Sequence, residues 1–313
     1  MLAPREYPRG FCLLGVNMND NERVLIRLVC EGDIRKAQSQ AKIILDGISS
    51  QRDERFKETM LRKLEVRSPQ MIELPYNLRE LLIAEDVTDF PMSRFLLRES
   101  ESRMVERLLK IYKASDVLQD KGIPYFATMI LYGESGTGKT MLARYIAHKA
   151  GVPFVYMRFS SIVSSYLGST QSNIAKVFDY ARNAPCALCI DEIDAIGIKR
   201  GDRNDVSEMS RVVIALMQEM DRLPNNVIVI GTTNRFDRLD PALIRRFSLS
   251  QKVDLLSFED TCALAKNFFT FAEIEVDGGV ERWCSEIFCM EDVSAAKVVS
   301  ACTEYVVQRV IDE

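Results

Sequence analysis

The feature that most constrains this 313-residue chain is the segment Gly133-Glu134-Ser135-Gly136-Thr137-Gly138-Lys139-Thr140. It fits G-x-x-x-x-G-K-[ST] at every position. It follows an apolar run of strand length at 126–132 and opens a helical pattern over 139–150. Strand, glycine-rich turn and helix in that order form the context in which this pattern cradles phosphate. The glycines reach backbone conformations closed to other residues, so N–H groups can point at phosphate oxygens. The helix beginning near Lys139 turns the positive end of its dipole toward the same anion. The Lys139 ammonium is placed to reach the β- and γ-phosphates, and the Thr140 hydroxyl can ligate Mg2+. Met141 follows in the first helical turn. Residues 133–141 are therefore expected to bind a nucleotide, ATP with Mg2+.

A second apolar run, Cys186-Ala187-Leu188-Cys189-Ile190, ends in Asp191-Glu192. Ligands of open α/β sheets bind outside the carboxyl ends of the strands. Many strands end in an acidic turn, so the pattern is weak alone; downstream of a phosphate loop it is strong. Asp191 would hold Mg2+, mostly through water. Glu192 would orient and deprotonate an attacking water, so that ATP is hydrolysed as well as held.

The rest of the chain supplies a scaffold of the right kind. Short apolar runs at 152–159, 186–191 and 226–231 alternate with helical patterns at 100–120, 139–150, 170–183 and 206–222. Such alternation predicts a parallel sheet covered on both faces. Residues 258–271, 278–288 and 294–311 read as three helices of a small C-terminal domain. Residues 20–66 read as a helical module, with Val24, Leu25, Leu28 and Val29, then Ala37, Ala41, Ile44 and Leu45, then Phe56, Met60, Leu61 and Leu64 at helical spacing. That module could cap the main domain or dock a partner, and no motif decides between them. Residues 67–98, broken by Pro69, Pro75 and Pro91, read as a linker. The expected domains are 1–75 (helical module), 76–250 (nucleotide-binding domain, with 76–98 as linker) and 251–313 (helical lid).

Composition removes several function classes. Apolar residues at 47% and charged residues at 27% suit a globular chain and exclude general disorder. The net charge is -4, and residues 251–313 alone carry 5 basic and 13 acidic side chains, which disfavours nucleic acid or an anionic membrane as partner. No apolar run approaches the ~18–20 residues of a membrane span. The stretch Phe11 to Val16 is too short for a secretory leader, so a cytoplasmic location is expected. The 8 cysteines then read as buried thiols. Cys186 and Cys189 form a C-x-x-C, but residues three apart on a strand point to opposite faces, and the chain's single histidine, His148, leaves no partner pair for a metal. Cys284 and Cys289 read as core residues of the C-terminal domain.

Together these motifs resemble the AAA ATPase family over about residues 95–313. The acidic strand end continues as Ile193-Asp194-Ala195-Ile196-Gly197, similar to the family's D-E-I-D-A-I. Ile230-Gly231-Thr232-Thr233-Asn234-Arg235 resembles its sensor strand, and Asp237 to Phe247 its second region of homology. The resemblance implies an α/β fold: a P-loop NTPase αβα sandwich with a parallel sheet, followed by a small helical lid. It implies that Asn234 contacts the γ-phosphate or the lytic water. It also implies that Arg245 and Arg246 are arginine fingers for a neighbouring subunit's ATP. A planar guanidinium fork suits the spread negative charge of phosphoryl transfer. These arginines are adjacent, as in the katanin- and spastin-like branch, which leaves open which one contributes more. In Val293-Ser294-Ala295-Ala296-Lys297, Lys297 departs from the family pattern; it is either a basic sensor of phosphate or a solvated face residue.

Tyr166-Leu167-Gly168 resembles the family's pore loop, in which an aromatic side chain grips an extended polypeptide by area and π-face without a sequence code. The polar stretch Lys199 to Asp205 is either a second pore-facing loop or a solvated connection. The resemblance thus implies a ring, by family a homo-hexamer, that remodels, unfolds or translocates a polypeptide. A separate protease or effector would supply any downstream chemistry. The alternative is an ATP-switched loader or regulator of a nucleic-acid-associated assembly.

Overall fold

The computed structural model describes residues 19–30, 34–47, 57, 74–123, 125–157, 169–195, 206–224, 227–289 and 291–312. The chain divides into two compact units, Met1–Pro69 and Gln70–Glu313.

The first unit contains helices α1 (Asp20–Cys30) and α2 (Ile34–Asp46), which pack on each other. Asn19 opens α1 through reciprocal bonds. The Glu22 N–H donates to Asn19 Oδ1 at 2.8 Å, and the Asn19 N–H donates to Glu22 Oε2 at 2.9 Å. Such a box satisfies two N–H groups that a helix start leaves orphaned. The third helical pattern expected there, near 55–64, lies outside the described residues apart from Lys57.

The second unit is built on a six-stranded sheet: β1 (Leu82–Glu85), β2 (Ala127–Tyr132), β3 (Phe154–Met157), β4 (Cys186–Ile190), β5 (Val227–Thr233) and β6 (Leu249–Lys252), in the order β1-β3-β4-β5-β2-β6. All pairs are parallel except β1 with β3. Helices α3 (Glu99–Asp120), α4 (Lys139–Ala150), α5 (Ser169–Asn183) and α6 (Val206–Met220) cover its faces. Every residue of β4 and β5 is buried, as a strand covered on both sides requires. Alternate side chains feed two cores. Ile130, Leu188 and Val229 pack with Phe178 of α5 and Leu216 of α6. Met129, Cys189 and Ile230 pack with Leu108 of α3 and Ile146 of α4. Cys186 and Cys189 fall in different cores, so the C-x-x-C spacing reflects the pleat.

The segment 76–98, expected to be a linker, is instead part of the fold. It supplies the antiparallel edge strand β1, with Leu82 opposite Met157. Arg144 of α4 pins that edge through two bonds to the Glu85 carboxylate, at 2.6 and 3.0 Å, while its guanidinium stands 5.0 Å from the Phe154 ring centroid. Phe90 then meets the Tyr145 ring edge-on, and Phe95 packs against the same ring at a tilt. The strand β6 is likewise absent from the expected pattern, since only Leu249 of its four residues is buried.

After the short helix α7 (Pro241–Ile244), the chain ends in α8 (Phe258–Ala272), α9 (Val280–Phe288) and α10 (Ala295–Asp312). Their shared core centres on Phe269, Trp283, Phe288 and Cys302. Cys284 is buried there, but Cys289 is not a core residue: it is exposed, capping α9 at φ 51°. A left-handed residue at this position ends the helix, and its N–H donates to the Ser285 carbonyl.

Candidate active site

Three adjacent strands end at one place. The loop after β2, the acids after β4 and the Thr232-Thr233-Asn234 end of β5 meet around a cleft of about 420 Å³. Gly138 caps α4 at φ 101°, and Gly133, at φ 150°, leaves no room for a side chain: a Cβ there would stand 2.1 Å from the Val253 carbonyl oxygen. Ser135, Gly136, Thr137, Gly138, Lys139, Thr140 and Met141 line the cleft. Gly133 and Glu134 act from behind, since their carbonyls accept from Lys139 Nζ at 3.0 and 2.7 Å. The lid reaches this loop directly, with the Ala296 N–H donating to the Gly136 carbonyl at 3.0 Å. Burial lowers the Lys139 pKa, and the negative charges of Asp191 and Asp194 oppose that shift.

Asp191 is surrounded by hydroxyl groups. Its Oδ2 accepts from Tyr156 at 3.2 Å and from Thr140 at 3.5 Å, and its Oδ1 accepts from Thr232. Burial first, then Asp191, pushes the Tyr156 phenol up to about 12, so it stays a donor. Glu192 is exposed and holds φ 52°, a left-handed conformation that costs a non-glycine residue about 1–3 kcal/mol. Strain of this kind gathers at functional positions. The Glu192 N–H donates to Thr232 Oγ1 at 3.3 Å, and Thr233 Oγ1 donates to Asp194 at 2.7 Å. Asn234 is exposed and lines the same cleft as Glu192 and the loop.

Arg245 and Arg246 do not line this cleft. They border a second one, of about 660 Å³, with Tyr125, Phe126 and Asp221. Arg246 pairs with Asp221 at 3.2 Å and donates to the Ala242 carbonyl at 3.0 Å; Arg245 is exposed, its Nε donating to Pro241 O at 3.2 Å.

Residues 129–255 match the family described as ATPase family associated with various cellular activities (AAA). The chain belongs to the AAA ATPase family. It is 31% identical over 232 residues to the 26S proteasome regulatory subunit 8 homolog of Encephalitozoon cuniculi, covering 72% of this chain and 58% of that protein. It is 29% identical over 296 residues to the proteasome-activating nucleotidase of Sulfurisphaera tokodaii, covering 90% of this chain and 75% of that one. It is 40% identical over 134 residues to the peroxisomal ATPase pex6 of Schizosaccharomyces pombe, covering 41% of this chain and 14% of that protein. The chain spans less than two thirds of the length of most such relatives.

The residues of this AAA ATPase domain fit Mg2+-ATP. The left-handed glycines Gly136 and Gly138 of the loop, the buried Lys139 and the oxygen donors Thr140 and Asp191 match a triphosphate and a hard cation. Lys139 and the loop N–H groups would hold the phosphates, and Thr140 and Asp191 the cation. The apolar end of the cleft, formed by Phe95, Leu96, Val253, Leu256, Leu264 and Val299, suits a planar base. Those residues come from the edge segment, the strand-to-lid junction and the lid, and carry no local motif. Lys297 lies outside this cleft: it is exposed, with Nζ 6.0 Å from the Phe288 ring centroid, as a solvated face residue would be. Tyr166, Leu167, Gly168 and the stretch Lys199 to Asp205 lie outside the described residues.

Proposed function

We propose that this AAA ATPase hydrolyses ATP to ADP and phosphate within a ring of identical subunits, a homo-hexamer, and uses the cycle to unfold or translocate a polypeptide. The observation that carries the reading is the joint placement of Asp191, Glu192 and the phosphate loop at one cleft, with Arg245 and Arg246 at another. Bound Mg2+-ATP supplies the electrophilic phosphorus. Glu192 would take the proton of the attacking water at its carboxylate, and Asn234 would orient that water. Arg245 and Arg246 line no part of their own chain's nucleotide cleft, which supports their acting on a neighbour's. The polypeptide substrate is supported by Tyr166-Leu167-Gly168 and by relatives whose names place them at the proteasome and the peroxisome.

The working domains are 1–75, a helical module that docks a partner or substrate or caps the main domain, 76–250 and 251–313. A cytoplasmic location with a separate protease or effector fits this assignment. Among the described residues no helix is long and apolar enough to cross a membrane.

The test uses Glu192→Gln, which removes the base and keeps the hydrogen-bonding shape. With ATP and Mg2+ the variant should accumulate as a ring in size-exclusion chromatography and retain a tagged unfolded polypeptide. Adding Tyr166→Ala should lower that retention, and in the active enzyme should lower polypeptide unfolded per ATP consumed. A monomeric ATP complex sinks the ring reading. Retention of single-stranded DNA in place of polypeptide would favour the loader alternative.

A further inference from the structure

Asp191 makes more contacts than a metal-ligand carboxylate needs from its own motif. Both oxygens are engaged by side chains from two other strands: Tyr156 of β3 on Oδ2 and Thr232 of β5 on Oδ1. Neither residue belongs to the glycine-lysine loop or to the acidic strand end. The register places them there, since Tyr156 pairs with Cys189 on one side of β4, while Gly231 pairs with Ile190 on the other. The Thr232 contact also has a fixed polarity. An ionised carboxylate only accepts and a backbone N–H only donates. The Thr232 hydroxyl must therefore give its proton to Asp191 and accept from the Glu192 N–H, at 3.3 Å. The result is a directed chain from the strained backbone of Glu192 through Thr232 to Asp191, in which each bond polarises the next.

We propose that Tyr156 and Thr232 are positioning residues: together they fix the Asp191 carboxylate for Mg2+, and Thr232 alone also sets the backbone that aims Glu192. The assignment rests on the ATPase reading above. Tyr156 acts on the metal ligand only, so its loss should weaken the metal's contribution. Thr232 touches both acids, so its loss should weaken the metal's contribution and slow turnover at saturating Mg2+ as well. Hydrogen-bonding partners behind metal ligands commonly change metal affinity by roughly 10–100-fold.

The experiment uses the full chain and a fluorescent ATP analogue, mant-ATP, titrated once in EDTA and once in excess Mg2+. The ratio of the two dissociation constants measures the metal's coupling to nucleotide without any turnover. Tyr156→Phe keeps the ring and removes one hydroxyl; Thr232→Val keeps the shape and removes the other. Both should cut the coupling ratio by about tenfold or more, and Thr232→Ser should restore it to within about twofold. Measured alongside, kcat should fall further in Thr232→Val than in Tyr156→Phe. A coupling ratio at the wild-type value in Tyr156→Phe and Thr232→Val overturns the proposal, even if affinity in EDTA drops, because that pattern marks a general packing defect. Failure of Thr232→Ser to rescue overturns the Thr232 half. Should Thr232→Val not fold, Thr232→Ala, which removes the same hydroxyl in a smaller side chain, takes its place, and the same comparison with Thr232→Ser decides that half. If wild-type protein binds no nucleotide at all, the ATPase reading itself fails, which is a separate result.

Discussion

A side chain added at Gly231 would meet residues next to two sets of candidate catalytic side chains. Gly231 lies in β5 between Ile130 of β2 and Ile190 of β4. A Cβ at this position would stand 2.8 Å from Phe247 Cζ, 3.1 Å from Phe247 Cε1 and 3.5 Å from Ile193 Cδ1. Phe247 directly follows Arg246, and Ile193 directly follows Glu192. The strand backbone accepts alanine without conformational strain, so Gly231→Ala isolates the steric effect. Carbon atoms pack best near 3.5–4.0 Å, so the Phe247 ring must retreat by about 0.7–1.2 Å. Overpacking of this size costs about 1–3 kcal/mol. At about 2–4 °C per kcal/mol for a unit of this length, the melting temperature should fall by roughly 2–12 °C.

The functional consequence should be selective. The nucleotide cleft contains neither Phe247 nor Gly231, so mant-ATP affinity should change little while turnover falls by about tenfold or more, as expected when interactions confined to the transition state are lost. Adding Phe247→Leu should make room for the methyl group. The double variant should then be more stable than the sum of the single effects, by about 0.5–3 kcal/mol. Wild-type turnover in Gly231→Ala, together with a melting shift of the stated size, would refute the link between this ring and catalysis. Strictly additive stabilities would refute the contact itself.

Two further outcomes follow from burial. The folded Lys139 pKa lies below that of an unfolded lysine, so the unfolded state binds more protons in the window between the two values, and stability should rise with pH there. Urea midpoints of unliganded wild type, compared with Lys139→Met from pH 8 upward, should show wild type gaining on the variant; a flat difference would contradict a desolvated ammonium. Burial also pushes the Cys186 thiol up to about 12 and the Cys189 thiol well above its usual range, whereas Cys289 is exposed. Iodoacetamide with peptide mapping should therefore label Cys289 on the native protein and spare Cys186 and Cys189. Equal labelling of all three would mean that the sheet opens on the labelling timescale.

The motifs were legible because their chemistry is local. The phosphate loop, Asp191-Glu192 and Asn234 stand out by residue type at short spacing, and β2, β4 and β5 show as apolar runs because both of their faces are buried. Edge elements lack that signal. In β1, Leu82-Ile83-Ala84-Glu85, and in β6, Leu249-Ser250-Gln251-Lys252, only the leading leucine is buried. Three prolines around β1 argued further for a linker. Tyr156 and Thr232 were hidden for another reason. Each occupies an ordinary strand position, and only the pairing of β3 and β5 with β4 brings their hydroxyls to one carboxylate. The left-handed turn at Glu192 has no sequence signal, because the residue is not a glycine.

The resting position of Arg246 bears on how a finger could work. Its guanidinium pairs with Asp221, with side-chain exposures of 32% and 54%. An ion pair so open to solvent is worth at most about 1 kcal/mol. An arginine finger supplied to phosphoryl transfer is worth about 10³–10⁵ in rate, or roughly 4–7 kcal/mol of transition-state stabilisation. Leaving Asp221 therefore costs far less than reaching a neighbour's nucleotide gains. The ion pair can hold Arg246 in order on a free chain without competing with assembly. On the proposed ring reading, turnover per chain should rise steeply with protein concentration and then level off. Asp221→Asn should leave the plateau nearly intact, because the pair that it removes contributes little. Replacing both Arg245 and Arg246 by alanine should abolish the rise and leave the slow rate of the isolated chain. A rate per chain that is independent of concentration, or one that survives the double replacement, would mean that the cleft of each copy is catalytically complete by itself.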